Sequence, residues 1–236
     1  NDTNQVPWPI VRVFLLKRQF MNYRKYIVLG VLFVLPITVY LFFASGVNNF
    51  AKLPIVDPTI AGLEGFETLD GGPVSFNDHI TVLGFYGGNV SGQKAGAFNL
   101  AHKIYKKNYQ FEDFQFIMLT RNDQREEVQE VLSSLRQIAD PVHFKFAFGS
   151  SASIKTIFES LDTTNVLDSL GATAFVYIVD KEGRLRGRTD QDEDQVDPGY
   201  DANDYAVINN EMNDDIKVIL AEYRLALKKY KSARQR

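Results

Sequence analysis

The stretch from Ile27 to Ala44, IVLGVLFVLPITVYLFFA, is 18 residues long and carries no charge, and no charged residue follows until Lys52. At 1.5 Å per residue, a helix of this length spans roughly 27 Å, close to the thickness of the hydrocarbon core of a bilayer. Soluble helices of this length keep one polar face, whereas a proline such as Pro36 is tolerated in membrane helices. The sequence therefore predicts one transmembrane helix, assigned to residues 27–46.

The charges on the two flanks of this run predict its orientation. Five Lys and Arg residues precede the run against one acid, Asp2, whereas Lys52 is the sole basic residue between the run and Asp57. The positive-inside rule then places residues 1–26 in the cytoplasm. We expect a single-pass protein of the inner (cytoplasmic) membrane with a periplasmic C-terminal domain. The alternative is the mitochondrial inner membrane, with the domain facing the intermembrane space.

Residues 1–26 carry more apolar side chains than a simple charged flank needs, in the sequence VPWPIVRVFLLKRQFMNYRKY from Val6 to Tyr26. One interpretation is an interfacial helix lying on the membrane. The other is a docking element for a second membrane protein. The periodicity of the segment does not separate the two.

Composition excludes several classes of chemistry for the remainder of the chain. The sequence has no cysteine, which excludes disulfides, thiolate metal sites and thiol mechanisms. Its three histidines, His79, His102 and His143, lie far apart and form no i,i+4 pair of the kind that binds zinc. A formal net charge of −3 gives no indication of a nucleic-acid partner.

Strand-like and helix-like segments alternate after a tether and edge hairpin, which we assign to residues 47–77. The predicted strands are 79–86, 114–120, 143–149, 173–180 and an antiparallel return at 184–190, and the predicted helices are 93–108, 122–139, 151–161 and 205–234. This order predicts a largely parallel sheet covered on both faces. The late hairpin and the final helix narrow the α/β class to a thioredoxin-like domain over residues 78–236.

Two details of this domain can also be predicted. Asn122 or Asp123 precedes the second helix and is a residue type that caps helix N-termini. The acidic stretch TDQDEDQVDPGYDANDY, residues 189–205, is expected to be a solvated loop. Within it, Asp190, Asp192 and Asp194 alternate as acids do in some calcium loops, but the later glycine and glutamate of such loops are not at matching positions.

The glycine-rich loop GFYGGNVSGQKAG, residues 84–96, lies between a predicted strand and a predicted helix, where α/β proteins often hold their chemistry. Gly87 and Gly92 have the glycine spacing of a phosphate-binding P-loop, but Lys94 is one position out of register and Ala95 lacks the hydroxyl that holds magnesium. In thioredoxin-like domains the same turn carries a redox cysteine pair. Here Ser91 has no nearby histidine to activate it.

We therefore interpret the loop as a tight structural turn. Its glycines supply positive φ angles, and Asn89 or Ser91 is expected to cap the following helix. The triplet Asn89-Val90-Ser91 also matches the sequon for N-glycosylation.

At this point the chain resembles the Sco/SenC family of membrane-anchored, thioredoxin-like copper proteins that help to mature cytochrome oxidase. The segment VLGFYGGNVSGQKAGAF is similar to the family's strand, Cys-x-x-x-Cys loop and helix, and AFVYIVDKEGRLRGRTD is similar to its late strand-turn-strand. The resemblance covers about residues 27–235. The peroxidase and thioredoxin-reductase-linked branch of the same fold is a second candidate relative, and it also requires a cysteine.

All three copper ligands of the family are missing from this chain. The resemblance places the two cysteines near Gly88 and Gly92 and the histidine near Ala172, and none of these residues can bind copper. The resemblance therefore implies a degenerate family member without copper transfer, thiol reduction or a cofactor. Met118 is expected in the core, and His102 and His143 could form a metal site only if the fold happened to bring them together.

Two functions remain open at the level of sequence. The first is a non-catalytic, membrane-anchored protein that is a subunit or assembly factor of a respiratory membrane complex of the cytochrome oxidase type, with the lipid bilayer and that complex as partners and no nucleic acid. The basic tail, residues 228–236, is compatible with this function, although cations at a helix C-terminus also offset the helix dipole. The second is a metal- or small-molecule-binding carrier or enzyme with a non-cysteine site in the outer domain.

Overall fold

The computed structural model describes residues 9–45, 52–57, 59–188 and 198–234. The chain divides into two compact units, Asn1–Phe50 and Ala51–Arg236. The helices are α1 (Pro9–Ser45), α2 (Lys94–Leu100), α3 (Lys106–Asn108), α4 (Arg125–Leu135), α5 (Ser151–Glu159) and α6 (Asn213–Arg234). The strands are β1 (Ile55–Asp57), β2 (Ile80–Gly87), β3 (Phe114–Arg121), β4 (Phe144–Gly149), β5 (Phe175–Val179), β6 (Leu185–Arg186) and β7 (Tyr200–Asp201).

The described part of the first unit is one continuous helix, α1, of 37 residues, which is about 55 Å long. Its segment Tyr23–Phe42 has 20 residues, a mean hydropathy of 2.1 and no buried residue, so it is long and apolar enough to cross a membrane. The helix continues through Pro36. The helix also has no break between residues 26 and 27, where we placed the boundary between the interfacial and membrane segments.

The second unit is built on a seven-stranded sheet with the order β1-β6-β5-β2-β3-β4, in which β7 also pairs with β5. Strands β2, β3 and β4 are parallel, whereas β5 is antiparallel to β2, and β6 is antiparallel to β5. Parallel strands joined through helices, followed by an antiparallel hairpin and a final helix, form a thioredoxin-like fold. The predicted α/β fold class is confirmed.

Apolar side chains of the central strands point alternately to the two faces of the sheet. Each face therefore packs against helices or loops. From β2, Ile80, Val82 and Tyr86 point into a core shared with α2, α4 and α6. Leu83 and Phe85 point into a second core, formed with α5 and with the chain before β2. Eight consecutive residues of β2 are buried, as expected for a parallel strand inside a sheet.

Met118 of β3 is fully buried in the first of these cores. Its sulfur lies over Gly84 of the neighbouring strand, 2.5 Å from where a Cβ at that glycine would be. The prediction that Met118 is a core residue is confirmed.

The second predicted helix differs from α4 at both ends. A 3-10 turn, Asn122–Gln124, precedes α4, and the residue before the α-helix is Gln124, whose side chain makes no capping hydrogen bond. The prediction that Asn122 or Asp123 caps the helix is wrong, because the Asp123 carboxylate pairs with Arg121 instead. The helix also ends at Leu135, four residues before the predicted end at residue 139.

The acidic stretch is not wholly a solvated loop. Tyr200 is 4% exposed, pairs with Val176 in the sheet and donates its hydroxyl hydrogen to Asp215 Oδ2 at 2.7 Å. Burial of the Tyr200 ring and the hydrogen bond of its hydroxyl stabilise this segment in the sheet, although its neighbours in sequence are polar. Residues 189–197, which include Asp190, Asp192 and Asp194, lie outside the described residues. Of the predicted return strand, 184–190, the described residues 184–188 form a strand at Leu185–Arg186.

The segment before β2 forms one outermost strand of the sheet, β1, and also contacts the other, β4. Strand β1 pairs with β6, while Glu67 forms antiparallel bridges with Pro73 and with Phe148 of β4. The predicted tether and edge hairpin, residues 47–77, is described at 52–57 and from 59 onwards.

Candidate functional site

The carboxyl ends of the parallel strands meet at one edge of the sheet, where α/β proteins commonly bind ligands. Gly87 ends β2, Arg121 ends β3 and Gly149 ends β4. Arg121 pairs in register with Gly149. The glycine-rich loop leaves this edge directly after Gly87.

The end of β2 is packed against a second loop, residues 168–172, by backbone alone. Gly87 has a φ of +50°, and a Cβ there would lie 2.5 Å from the carbonyl carbon of Gly171. The Gly88 amide donates to the Leu170 carbonyl at 2.9 Å. Only glycine fits at Gly87, because it tolerates positive φ and leaves room for the backbone opposite.

Asp168 holds the 168–172 loop in this position. Its Oδ1 accepts hydrogen bonds from the Leu170 and Ala172 amides, each at 2.8 Å. The next residue, Thr173, donates its amide hydrogen to the Phe85 carbonyl at 2.9 Å. Ala172, the predicted position of the missing histidine, is 1% exposed. The structure thus brings the Gly88 and Ala172 segments together through hydrogen-bonded backbone.

The Arg121 guanidinium lies against Gly88, where the resemblance places the first cysteine. A Cβ at Gly88 would be 2.8 Å from both Cζ and Nη1 of Arg121. Arg121 Nε donates to Asp123 Oδ1 at 3.0 Å, and Nη2 donates to the other carboxylate oxygen. The hydrogen bond from Arg121 lowers the pKa of Asp123, and Asp123 raises the pKa of Arg121.

Sequence reasoning missed Arg121. The available signal was a basic residue directly after a predicted strand, at the edge where ligands bind. Its proximity to Gly88 depends on the lateral pairing of β2 and β3, which sequence spacing does not reveal.

Gly92, the position of the second missing cysteine, is covered by Asn89. A Cβ at Gly92 would lie 2.6 Å from Asn89 Nδ2, and Asn89 Oδ1 accepts the Gly92 amide at 3.1 Å. Helix α2 begins later, at Lys94, after Gln93 and without a side-chain cap. The prediction that Asn89 or Ser91 caps α2 is therefore wrong, because the Asn89 side chain closes the turn before the helix.

Lys94 does not point into a phosphate cradle. Its ammonium lies 5.8 Å from the centre of the Phe98 ring, one turn further along α2. This contact is consistent with the out-of-register lysine noted in the sequence.

A cavity of 470 Å³ lies beside Arg121. Its walls are Arg121, one face of α5 with Ser151, Lys155 and Glu159, and the loop from Asn165 to Gly171. Val166 and Leu170, both on this loop, are 77% and 42% exposed. This edge of the sheet therefore offers a partly apolar cavity lined by side chains of both charges.

The histidines do not form a metal site. Within the described ranges, no three His, Cys, Asp or Glu side chains are grouped so that they could hold a metal ion. His143 precedes β4, at the opposite end of the sheet from the glycine loop, and its pKa is lowered by burial and by the nearby Lys145 and His79. His102 is exposed on the π-helical turn that continues α2.

Comparisons with known proteins find similarity in solved structures alone. No family model matches the chain, and no curated protein matches it. BsSco, a member of the Sco family of cytochrome c oxidase assembly proteins, is 14% identical with a TM-score of 0.48, over 70% of this chain and 94% of that one. Yeast Sco1 is 13% identical with a TM-score of 0.43, over 68% and 98%.

A putative electron transfer protein from Aquifex aeolicus VF5 is 12% identical with a TM-score of 0.46, over 72% of this chain and 98% of that one. The structural neighbours thus include members of the family that the sequence resembles.

Proposed function

We propose that the chain is a non-catalytic, membrane-anchored, Sco-like protein that acts through protein contacts as a subunit or assembly factor of a respiratory membrane complex of the cytochrome oxidase type. The proposed location is the inner membrane, with the N-terminus in the cytoplasm and the thioredoxin-like domain in the periplasm. The respiratory assignment depends on the resemblance of the sequence to the Sco/SenC family.

The observation that carries the proposal is the packing at the carboxyl end of β2. Backbone fills the space at Gly87, a guanidinium lies at Gly88 and an amide side chain covers Gly92. A copper or thiol site needs soft or imidazole ligands that converge on an open position. The positions where the resemblance places the ligands, Gly88, Gly92 and Ala172, carry no such ligand.

Helix α1 supports membrane anchoring and gives the proposal its second contact surface. Its Tyr23–Phe42 segment has the length and hydropathy of a membrane span, and the helix extends from there back to Pro9. Thr38 Oγ1 donates to the Val34 carbonyl at 2.8 Å, so a polar side chain inside the span is satisfied within the helix, as membrane helices require.

The test is co-purification from native membranes under mild detergent. We expect the 26.8 kDa chain to migrate in a much larger assembly, at a fixed ratio to subunits that carry the haem of a terminal oxidase. Migration as a single chain, with no other subunit at a fixed ratio, would contradict the proposal.

A matched variant separates the two contact surfaces. Replacing residues 23–42 by an unrelated Leu/Ala span keeps the anchor but removes the native membrane sequence. If the outer domain supplies the contacts, the variant remains in the assembly. If α1 supplies them, the variant stays in the membrane but leaves the assembly.

A further inference from the structure

We propose that the cavity beside Arg121 is a binding site for a monoanionic carboxylate carried on a short apolar stem. This site goes beyond the proposed function and does not depend on it.

Gly88 and Arg121 form a matched pair. Because Gly88 has no side chain, the guanidinium can lie close to this residue. A Cβ at position 88 would be 2.8 Å from Nη1 of Arg121. The pair with Asp123 uses Nε and Nη2, and a guanidinium has five N–H donors in a planar fork. The two N–H groups of Nη1 are outside this pair, and Arg121 lines the cavity.

The Asp123 carboxylate is a weak competitor for a ligand. The Arg121 and Asp123 side chains are 32% and 55% exposed, and exposed ion pairs of this kind contribute little to stability. A ligand carboxylate can therefore share the guanidinium with Asp123 or displace it. Arg is the side chain best suited to bind a planar carboxylate by two parallel hydrogen bonds.

A second cation, Lys155, also lines the cavity. Lys155 projects from α5, and its ammonium is 3.5 Å from Glu159, with both side chains more than 60% exposed. This pair also holds its lysine loosely. The ammonium can thus approach a ligand that is bound to Arg121.

The charges that line the cavity disfavour a dianion. Two cations, Arg121 and Lys155, line it together with two carboxylates, Glu159 and Asp168. Oδ1 of Asp168 is already bonded to two backbone amides of its own loop. A dianion such as a phosphate ester would lie against both carboxylates, and like charges at close range are unfavourable.

The apolar part of the lining fits a short aliphatic stem. Phe158 and Leu167 line the cavity, and the exposed Val166 and Leu170 lie at its rim. The volume of 470 Å³ falls within the range of small-molecule sites, roughly 300–1,000 Å³. A free branched-chain acid and the carboxyl terminus of a polypeptide ending in an aliphatic residue both supply this chemistry.

The experiment measures binding to the full chain in detergent micelles by ligand-observed NMR. The probes are isovalerate, acetyl-Ala-Leu with a free carboxylate and the same dipeptide as its amide. We expect the acid to bind at least tenfold more tightly than the amide, because a charge-assisted hydrogen bond contributes that much. A preference for isovalerate would identify a free acid as the ligand, and a preference for the dipeptide acid would identify a polypeptide terminus.

Four variants test the residues. We expect Arg121→Gln and Gly88→Ala to weaken binding of the acid roughly tenfold or more, the latter because the new methyl group displaces the guanidinium. Asp123→Asn should strengthen binding, since it removes the competing carboxylate. Lys181→Gln, which removes a distant ion pair with Asp113, should leave affinity unchanged.

Equal affinity for acid and amide, or no binding of either acid at millimolar concentration, would overturn the proposal. So would wild-type affinity in a folded Arg121→Gln chain. If that variant fails to fold, Gly88→Ala decides, because unchanged affinity after the guanidinium is displaced is incompatible with a carboxylate bound at Arg121. None of these results bears on the co-purification that tests the proposed function.

Discussion

The glycine-rich edge of the sheet and the buried charged cluster at the β5–β6 hairpin are built in opposite ways. At the first, Gly87 and the 168–172 loop meet through backbone, and the positions of the expected ligands carry no reactive side chain. At the second, Arg186 is 2% exposed and bonds to Asp180 at 3.0 Å, to Glu222 at 2.7 Å and to the Leu53 carbonyl at 2.8 Å.

The charged cluster joins three parts of the chain that are distant in sequence. Asp180 begins the hairpin turn, Glu222 lies on α6 and Leu53 precedes β1. A buried ion pair is tolerated only where its charges are paired and hydrogen-bonded. This domain keeps buried ionisable groups where they fix its architecture, and among the described residues it has none at the edge where the fold usually places its chemistry.

The largest expected effect comes from breaking the charged cluster. Arg186→Met leaves the fully buried Asp180 without one of its partners, and removing one member of a buried pair lowers the free energy of unfolding by about 3–5 kcal/mol. The measurement is urea unfolding of the full chain in detergent, followed by circular dichroism. Lys217→Met is the control, because Lys217 and its partner Asp214 are 62% and 59% exposed, and the loss of an exposed pair should be clearly smaller. Equal losses would show that burial does not set the effect.

The next largest effect concerns the backbone contact between Gly87 and the 168–172 loop. Gly87→Ala places an alanine at a positive φ and its methyl group against the Gly171 backbone. The free energy of unfolding should therefore fall by about 2–5 kcal/mol. Gly183→Ala has a φ of +75° and nothing within 4 Å of the new methyl group, so only the conformational cost of about 1–2 kcal/mol remains. Indistinguishable unfolding midpoints for the two variants would contradict close packing at Gly87.

A smaller effect concerns pH. Burial on its own would raise the pKa of Asp180, but hydrogen bonds from Arg184 and Arg186 outweigh it and hold this pKa below the ordinary value of 3.8. The ionised form therefore stabilises the fold above that value, and the contribution is lost as pH falls through the lower, folded pKa. Urea midpoints between neutral pH and about pH 3 should fall more steeply in the wild type than in Asp180→Asn. Parallel curves would count against this role for Asp180.

The smallest effect distinguishes two buried tyrosines. The Tyr86 hydroxyl is buried and has no hydrogen-bond partner among the described residues, so Tyr86→Phe should be neutral or stabilise by up to about 1 kcal/mol. The Tyr105 hydroxyl donates to the Asp140 carbonyl at 2.6 Å and accepts the His143 amide at 3.0 Å. Tyr105→Phe should therefore lower the free energy of unfolding by about 1–3 kcal/mol. A loss at Tyr86 as large as that at Tyr105 would be contrary to this assignment.

The central sheet could be predicted from the sequence because its strands are long and apolar. The predicted strand 114–120 differs from β3 by one residue, and the predicted helix at 151–161 overlaps α5. Short elements were not predictable in this way. Tyr200–Asp201 joins the sheet through a partner, Val176, that lies 24 residues earlier in the chain, and its local sequence is that of an acidic loop.

The site was predictable in part. The sequence showed that Gly88, Gly92 and Ala172, where the resemblance places the ligands, carry no metal-binding side chain, and the assignment of these positions stays a prediction. What occupies their place was not predictable. Arg121 reaches Gly88 through the pairing of β2 with β3, and the cavity beside it also needs α5 and the 165–171 loop, so the cavity forms only when three distant segments pack together.

Copper binding by the full chain tests the central claim most directly, which is that the carboxyl end of β2 holds no metal chemistry. The chain in detergent is incubated with copper, passed through a desalting column and analysed for metal, beside the variant Gly88→Cys/Gly92→Cys/Ala172→His. We predict no stoichiometric copper on the wild-type chain. Retention of stoichiometric copper by the wild-type chain would contradict the claim.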